Sequence, residues 1–148
     1  MKRAAITFCF LLVCLSTIGF ADTQTVTNCA DSGPGSLRQA MADASAGDEI
    51  VFEITLEAVG YSTGETSPGL VTEEAASDTW FRIITNSELI FQDSDVSIRG
   101  STQTIEGNNS LGPTVEVRAN GTYSVFSATA STDRVTIEGL VINRCGGS

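Results

Sequence analysis

The chain has 148 residues, which suits one domain of ordinary size, and it carries 18 acidic residues against 8 basic ones with no histidine. A strongly acidic surface repels phosphate backbones, which argues against nucleic-acid binding. The lack of histidine removes the commonest zinc ligand and the commonest acid–base catalyst.

The first 21 residues have the three parts of a secretory signal peptide. Lys2 and Arg3 form the positive start, residues 4–18 are almost entirely apolar, and Gly19 and Ala21 are small residues before a cleavage site. An uncleaved membrane anchor is the alternative, because the stretch is almost long enough to span a bilayer. The hydroxyl residues and the small-residue end favour cleavage. We therefore expect a secreted or cell-surface protein with no membrane span after signal removal, a net charge of −12 and no lysine.

Residues 22–47 predict a short strand around Val26 and then an amphipathic helix. Ser36 can cap the helix, and Gln39 stands three residues later as the partner in a capping box. Gly47 is the predicted C-terminal cap. One apolar stripe is formed by Leu37, Ala40, Met41 and Ala44. Because the remainder of the chain reads as β structure, we expect this helix to cover the end of a sheet.

After Gly47 the pattern changes to a period of two residues. Ile50, Phe52 and Ile54 are therefore predicted to face a core. Residues 58–78 predict a surface loop that leaves the fold, in which only Tyr61, Leu70 and Val71 pack. Further strands are predicted at residues 80–84 and 89–91.

The last third contains three windows of one form, at residues 96–100, 115–119 and 135–139. Each window reads β-branched, polar, β-branched, charged, small, and they start 19 and 20 residues apart. Such a period with one short strand per repeat predicts a solenoid, with a β-sandwich as the alternative. The predicted internal ladders are Val96, Val115 and Val135, and beside them Ile98, Val117 and Ile137. Secondary strands are predicted at residues 103–105, 124–127 and 140–142.

Two stretches of the chain resemble a known family. Residues 31–41, which contain Ser36-Leu37-Arg38, and residues 46–52, which contain Gly47-Asp48, resemble the opening of secreted right-handed parallel β-helix proteins. These are pectin-lyase-like solenoids, and the Ser-Leu-Arg opening occurs in bacterial surface and autotransporter-type members. Residues 135–142 resemble a typical coil of the same proteins. The chain departs from many members at Gly35, where they have Cys, and at Ser45, where they have Asn.

The resemblance implies an all-β, single-stranded, right-handed parallel β-helix with a short N-terminal capping helix. Its segments are the signal peptide (1–21), the strand and capping helix (22–47) and the coils (48–148), with the loop excursion at about 58–78. The family usually continues for more coils, so we expect a C-terminal truncation, with missing coils or a partner at the open end.

The function implied by the resemblance is adhesion or contact with an extracellular polysaccharide or glycan, without catalysis in this chain. The first alternative is the N-terminal fragment of a carbohydrate-active enzyme, a polysaccharide lyase, hydrolase or epimerase, whose catalytic coils are absent. The second alternative is a structural spacer. Whether the full-length protein is an enzyme stays open at this point.

The resemblance also makes arginines candidate bases, since lyases of this architecture abstract a sugar proton with Arg or Lys beside calcium-bound carboxylates. The candidates are Arg99, Arg118, Arg134 and Arg144. Arg99 and Arg118 hold the same place in successive windows, near Glu138 in the third, and are predicted to point outward on one face. We favour a cross-strand Arg–Glu ladder, because a pKa above about 12 makes arginine a poor base.

Asp93 and Asp95 lie two residues apart at a predicted turn and are the candidate calcium ligands. Calcium takes about 6–8 oxygen ligands, so we favour a solvated turn. Hydrolases of this architecture use aspartate clusters with a nearby histidine, which this chain lacks. We therefore assign no catalytic residue, no metal ligand and no cofactor, leave calcium as a possibility, and leave the binding residues unknown.

Signal removal leaves two cysteines, Cys29 and Cys145, which are 116 positions apart. In a coiled architecture about four coils separate them, which weakens the case for a disulfide but leaves it open. Two segments, 108–110 and 120–122, fit the N-glycosylation pattern. Both fall in predicted turns, where such matches are common by composition alone.

Overall fold

The computed structural model describes residues 21–73, 78–105 and 112–144. Within these ranges the protein is mostly β, with parallel sheets and a few short helices. Almost the whole predicted signal peptide, the segment 108–110 and Cys145 lie outside the described residues.

The described elements follow one another in short steps. In chain order they are β1 (Thr23–Val26), α1 (Leu37–Asp43), β2 (Glu49–Phe52), α2 (Leu56–Val59), β3 (Gly69–Glu73), β4 (Asp78–Thr85), β5 (Leu89–Phe91), β6 (Ser97–Arg99), a 3₁₀ helix (Gly100–Thr102), β7 (Val115–Ala119), β8 (Phe126–Ala128), β9 (Thr136–Glu138) and β10 (Leu140–Asn143).

The strands form three sheets. Sheet A has the spatial order β1, β2, β6, β9; sheet B has the order β3, β4, β7, β10; and sheet C pairs β5 with β8. Every pair is parallel except β3 with β4. From β4 onward the chain runs through sheets B, C and A, repeats that order, and returns to sheet B in β10.

Sheet A shows how the core is built. Its registered pairs place Ile50 opposite Ile98 and Ile98 opposite Ile137. Ile50 and Ile98 are fully buried. The predicted stacking of Ile98 and Ile137 is therefore confirmed, and these two residues lie 39 positions apart.

The prediction that the window 115–119 forms the rung between them is wrong. β7 lies in sheet B, where Val115 pairs with Phe81 and Leu140, and Val117 pairs with Ile83 and Ile142. A β-branched–polar–β-branched window suits any sheet with one buried face, so the pattern does not reveal which sheet a strand joins. The repeat of the fold is consequently about twice the predicted 19 or 20 residues.

Helix α1 begins where the sequence predicts. The hydroxyl of Ser36 accepts a hydrogen bond from the backbone N–H of Gln39 at 3.2 Å, as an N-terminal cap does. The side chain of Gln39 does not complete a capping box; it donates to Asp43 Oδ1 instead. The helix also ends earlier than predicted, with Ala44 as its C-cap, while Gly47 adopts a φ of +93° in the following turn.

The helix covers one end of the sheets through its apolar stripe. Its four stripe residues, Leu37, Ala40, Met41 and Ala44, are all buried in the core. The helix packs on β1, the end strand of sheet A, and on β5 of sheet C. Covering this end shields apolar side chains that the first strands leave open.

Other predictions have mixed outcomes. Ile50, Phe52 and Ile54 are buried as expected. The excursion is not a bare loop, because it contains α2 and β3. Its Leu70 is buried, but Tyr61 is 62% exposed, contrary to the prediction that it packs.

The secondary strands are also only partly as predicted. Strands do form near two of the three predicted positions, as β8 and β10. Residues 103–105 form no strand; the buried Gln103 side chain instead bonds the backbone of Ile54, with Oε1 accepting from its N–H at 2.8 Å and Nε2 donating to its carbonyl at 3.0 Å.

Candidate functional site: a groove on the outer face of sheet B

Strand alternation places polar and aromatic side chains on the outer face of sheet B. β4 buries Phe81 and Ile83 on its inner side, so Trp80 and Arg82 project outward. The same alternation presents Glu116 and Arg118 from β7 and Val141 and Asn143 from β10. A groove of about 410 Å³ lies over this face, lined by Glu73, Asp78, Trp80, Arg82, Gly112, Pro113, Glu116, Arg118, Val141 and Asn143.

Glu116 is the centre of the groove's hydrogen-bond network. Its Oε2 accepts from Arg82 Nε at 2.7 Å and from Trp80 Nε1 at 2.8 Å, while its Oε1 accepts from Asn143 Nδ2 at 2.8 Å. Burial acts to raise the pKa of this carboxyl, but the hydrogen bonds from Asn143, Arg82 and Trp80, together with the charge of Arg82, outweigh it and hold the pKa below its ordinary value. Glu116 is therefore a buried, ionised and fully engaged carboxylate.

Arg82 and Arg118 connect the face to the excursion. Arg82 Nη1 donates to the carbonyl of Gly64 at 3.2 Å, and Arg118 Nη2 pairs with Glu65 Oε2 at 3.1 Å. Both arginines are buried, at 8% exposure each. The guanidinium carbon of Arg82 also lies 5.9 Å from the centre of the Trp80 ring, within cation–π range. The excursion thus covers part of sheet B and fixes the floor of the groove.

The groove is built to bind rather than to transfer protons. Glu116 spends both oxygens on donors, and both guanidinium groups are already in ion pairs. The described residues contain no group of three or more side chains placed to hold a metal ion. What the groove offers a ligand is an aromatic ring, apolar walls at Pro113 and Val141, and polar atoms held in fixed positions.

The four candidate arginines do not come together. Arg99 forms ion pairs with Glu49 and with Glu138, the latter at 3.6 Å, so the predicted Arg–Glu ladder on sheet A is confirmed for these residues. Arg118 does not belong to that ladder, contrary to the prediction, because β7 lies in sheet B. Arg134 is exposed and pairs with Asp95 at 2.8 Å, and Arg144 lies 3.5 Å from Glu65.

The candidate calcium ligands occupy an exposed turn. Asp95 has a φ of +60° and directs its carboxylate to Arg134, while Asp93 is exposed. The engagement of Asp95 by a guanidinium is what a solvated turn predicts. This pair therefore makes no ligand set with other carboxylates in the part of the chain that the structure describes.

Asn120 and Cys29 have structural surroundings. Asn120 Nδ2 donates to Asn86 Oδ1 at 3.0 Å, and Asn86 Nδ2 donates to Asp31 Oδ2 at 3.2 Å, so polar side chains stack along one turn. Cys29 is buried and free, and burial raises the pKa of its thiol to about 12, which makes it a poor nucleophile.

Sequence reasoning missed the groove. The signal it left unused is the alternation around Trp80 and Arg82, and around Glu116 and Arg118, where large polar side chains fall on the face opposite the core. That alternation marks the outward residues but does not show that β4 and β7 are neighbours. The ion pair between Arg82 and Glu116 depends on that pairing.

Comparison with protein-family models, curated proteins and solved structures found no match to this chain. None of the helices in the described ranges is long and apolar enough to cross a membrane.

Proposed function

We propose that the chain forms coils of an exported right-handed parallel β-helix that contacts a glycan through the groove on sheet B, without catalysis by the chain itself. The repeated passage through sheets B, C and A supports the coiled architecture, because consecutive circuits lay parallel strands on one another. A right-handed path is expected, since parallel crossover connections are right-handed in nearly all proteins. Export is supported by the signal-like sequence of residues 1–21.

The groove's chemistry supports a glycan as the ligand. A sugar ring has an apolar face of C–H groups and a rim of hydroxyls, so it fits a site that combines an aromatic ring with fixed hydrogen-bonding groups. Trp80 supplies the ring, and its orientation is fixed by the hydrogen bond from Nε1 to Glu116. Asn143 and Arg82 are held by the same carboxylate. Because these groups are held before a ligand arrives, little side-chain entropy is lost on binding.

The observation that carries the proposal is this pre-ordered cluster of Trp80, Arg82, Glu116 and Asn143 in an open groove. Binding without catalysis follows from the same contacts. An ionised carboxylate with a lowered pKa and three donors is a weak proton acceptor, and it carries no proton to donate at neutral pH.

The test is a glycan array probed with the purified chain, followed by titration of any glycan that binds. The variant Trp80→Ala should lose at least about tenfold in affinity, because aromatic anchors in a binding site typically contribute about 2 kcal/mol. Tyr61→Ala is the matched control, since it also removes an aromatic ring but lies outside the groove lining and is 62% exposed. Circular dichroism would establish that both variants are folded.

Two outcomes would overturn the proposal. One is that no glycan on the array binds the folded chain. The other is that Trp80→Ala binds as tightly as the native chain, which would place the glycan site elsewhere.

A further inference from the structure

The inner ladders of sheets A and B become exposed at β9 and β10. Ile50 and Ile98 are fully buried, whereas Ile137, the next residue of that ladder, is only partly buried. Ile83 and Val117 are 1% and 0% exposed, whereas Ile142, which follows them, is 40% exposed. Val135 and Val141 beside them are 38% and 36% exposed. Positions that are sealed in the inner strands are thus left open at this edge.

The same edge presents unpaired strand backbone. Among the described residues, β9 is the end strand of sheet A and β10 is the end strand of sheet B. The outer edge of such a strand offers N–H and C=O groups that a further strand can bond. Only Gly139 separates β9 from β10, so one continuous segment is able to pair with both strands.

Charge indicates what kind of segment fits. On the outer face of sheet A, Glu49, Arg99 and Glu138 follow one another in register, with Arg99 in ion pairs with both glutamates. Glu138 ends this alternating row with its side chain 51% exposed. A basic residue in the next strand would continue the alternation, and an apolar residue one position earlier would cover Ile137.

From this edge we infer a docking surface for a partner protein segment that adds parallel strands to β9 and β10, with an apolar residue over Ile137 and Arg or Lys opposite Glu138. A second copy of the chain fits less well. A symmetric contact between two such edges brings the same acidic residue from each copy together, and the chain has a formal net charge of −10.

The experiment supplies the partner strands as an extension of the full chain. A copy of residues 125–144 is placed after Ser148, which leaves six residues between Asn143 and the copied Phe126. Six residues also separate Ala119 from Phe126 in the native chain, so the copied β8, β9 and β10 can occupy the next circuit. In one version the copy keeps glutamate at its equivalent of position 138; in the other it carries Glu138→Arg. A scrambled copy of the same 20 residues is the control.

We expect the arginine version to melt above the native chain and about 3 °C above the glutamate version, because opposite charges across strands stabilise and like charges destabilise. Hydrogen exchange of the β9 and β10 amides should slow in the arginine version and stay unchanged with the scrambled copy. The inference is overturned if neither copy slows exchange at β9 and β10, or if the two copies stabilise equally. It is also overturned if light scattering shows that the unextended chain dimerises through this edge.

Discussion

Replacing Glu116 by glutamine probes the buried network under the groove most sharply. The substitution keeps the volume of the side chain but removes its charge, which leaves the Arg82 guanidinium buried without an anionic partner. The two side chains are only 9% and 4% exposed, so solvent compensates little of the loss. Removing one partner of a buried pair costs about 3–5 kcal/mol. Because glutamine still offers one oxygen to Trp80, Arg82 or Asn143, we expect Glu116→Gln to cost about 3 kcal/mol.

The assay is thermal and urea unfolding of the purified chain at pH 7, where a loss of about 3 kcal/mol lowers the Tm by about 10 °C. Glu65→Gln is the matched control. Glu65 also pairs with a buried arginine of the same face, Arg118, but its own side chain is 77% exposed, and we expect a change within about 0.5 kcal/mol.

The pH dependence of the same variant has a definite sign. The pKa of Glu116 is lowered in the folded state, so its ionised form stabilises the protein above the unfolded pKa, and that stability is lost as the pH falls through the folded pKa. The native chain and Glu116→Gln should therefore converge in stability at acid pH. The reasoning is refuted if Glu116→Gln at pH 7 unfolds within about 0.5 kcal/mol of the native chain, because the pair would then be effectively solvated.

Three further predictions concern the fold. Ile98→Ala should cost about 3 kcal/mol in urea unfolding, whereas Ile137→Ala, in the same ladder but partly exposed, should cost about 1 kcal/mol; equal costs would contradict the described burial. Gly139→Ala should be at least about 2 kcal/mol more damaging than Gly33→Ala, since both have positive φ but only at Gly139 would the new Cβ overlap neighbouring backbone; similar melting curves would refute this. Asp48→Asn should cost about 1.5 kcal/mol above pH 5, because hydrogen bonds from the backbone N–H groups of Ser45 and Asp22 lower the pKa of this carboxyl. That cost should vanish as the pH falls through the folded pKa, and a pH-independent difference would count against it.

Local elements were predictable because their signals lie within a few residues. The cap at Ser36 and the alternation of Ile50, Phe52 and Ile54 depend only on neighbours in sequence, and both are present in the structure. The helix end was not predictable to the residue, because Ala44 closes the helix in an extended conformation before Gly47 is reached.

The sheet that a strand joins was much harder to predict. The windows around Ile98 and Val117 have the same chemical form, yet β6 lies in sheet A and β7 in sheet B. Their assignment depends on the path of the chain between them, which bends through the 3₁₀ helix after Gly100. The groove was out of reach for the same reason, since Arg82 and Glu116 become neighbours only when β4 and β7 pair.

The most direct test of the glycan-contact proposal uses Trp80, the single tryptophan of the chain, as an intrinsic fluorescent reporter inside the groove. A glycan identified on the array is titrated into the native chain while tryptophan emission is followed. The proposal predicts a saturable change in emission whose midpoint equals the dissociation constant measured independently by calorimetry. Binding by calorimetry with no change in the emission of Trp80 would contradict it, because the glycan would then occupy a surface away from the groove.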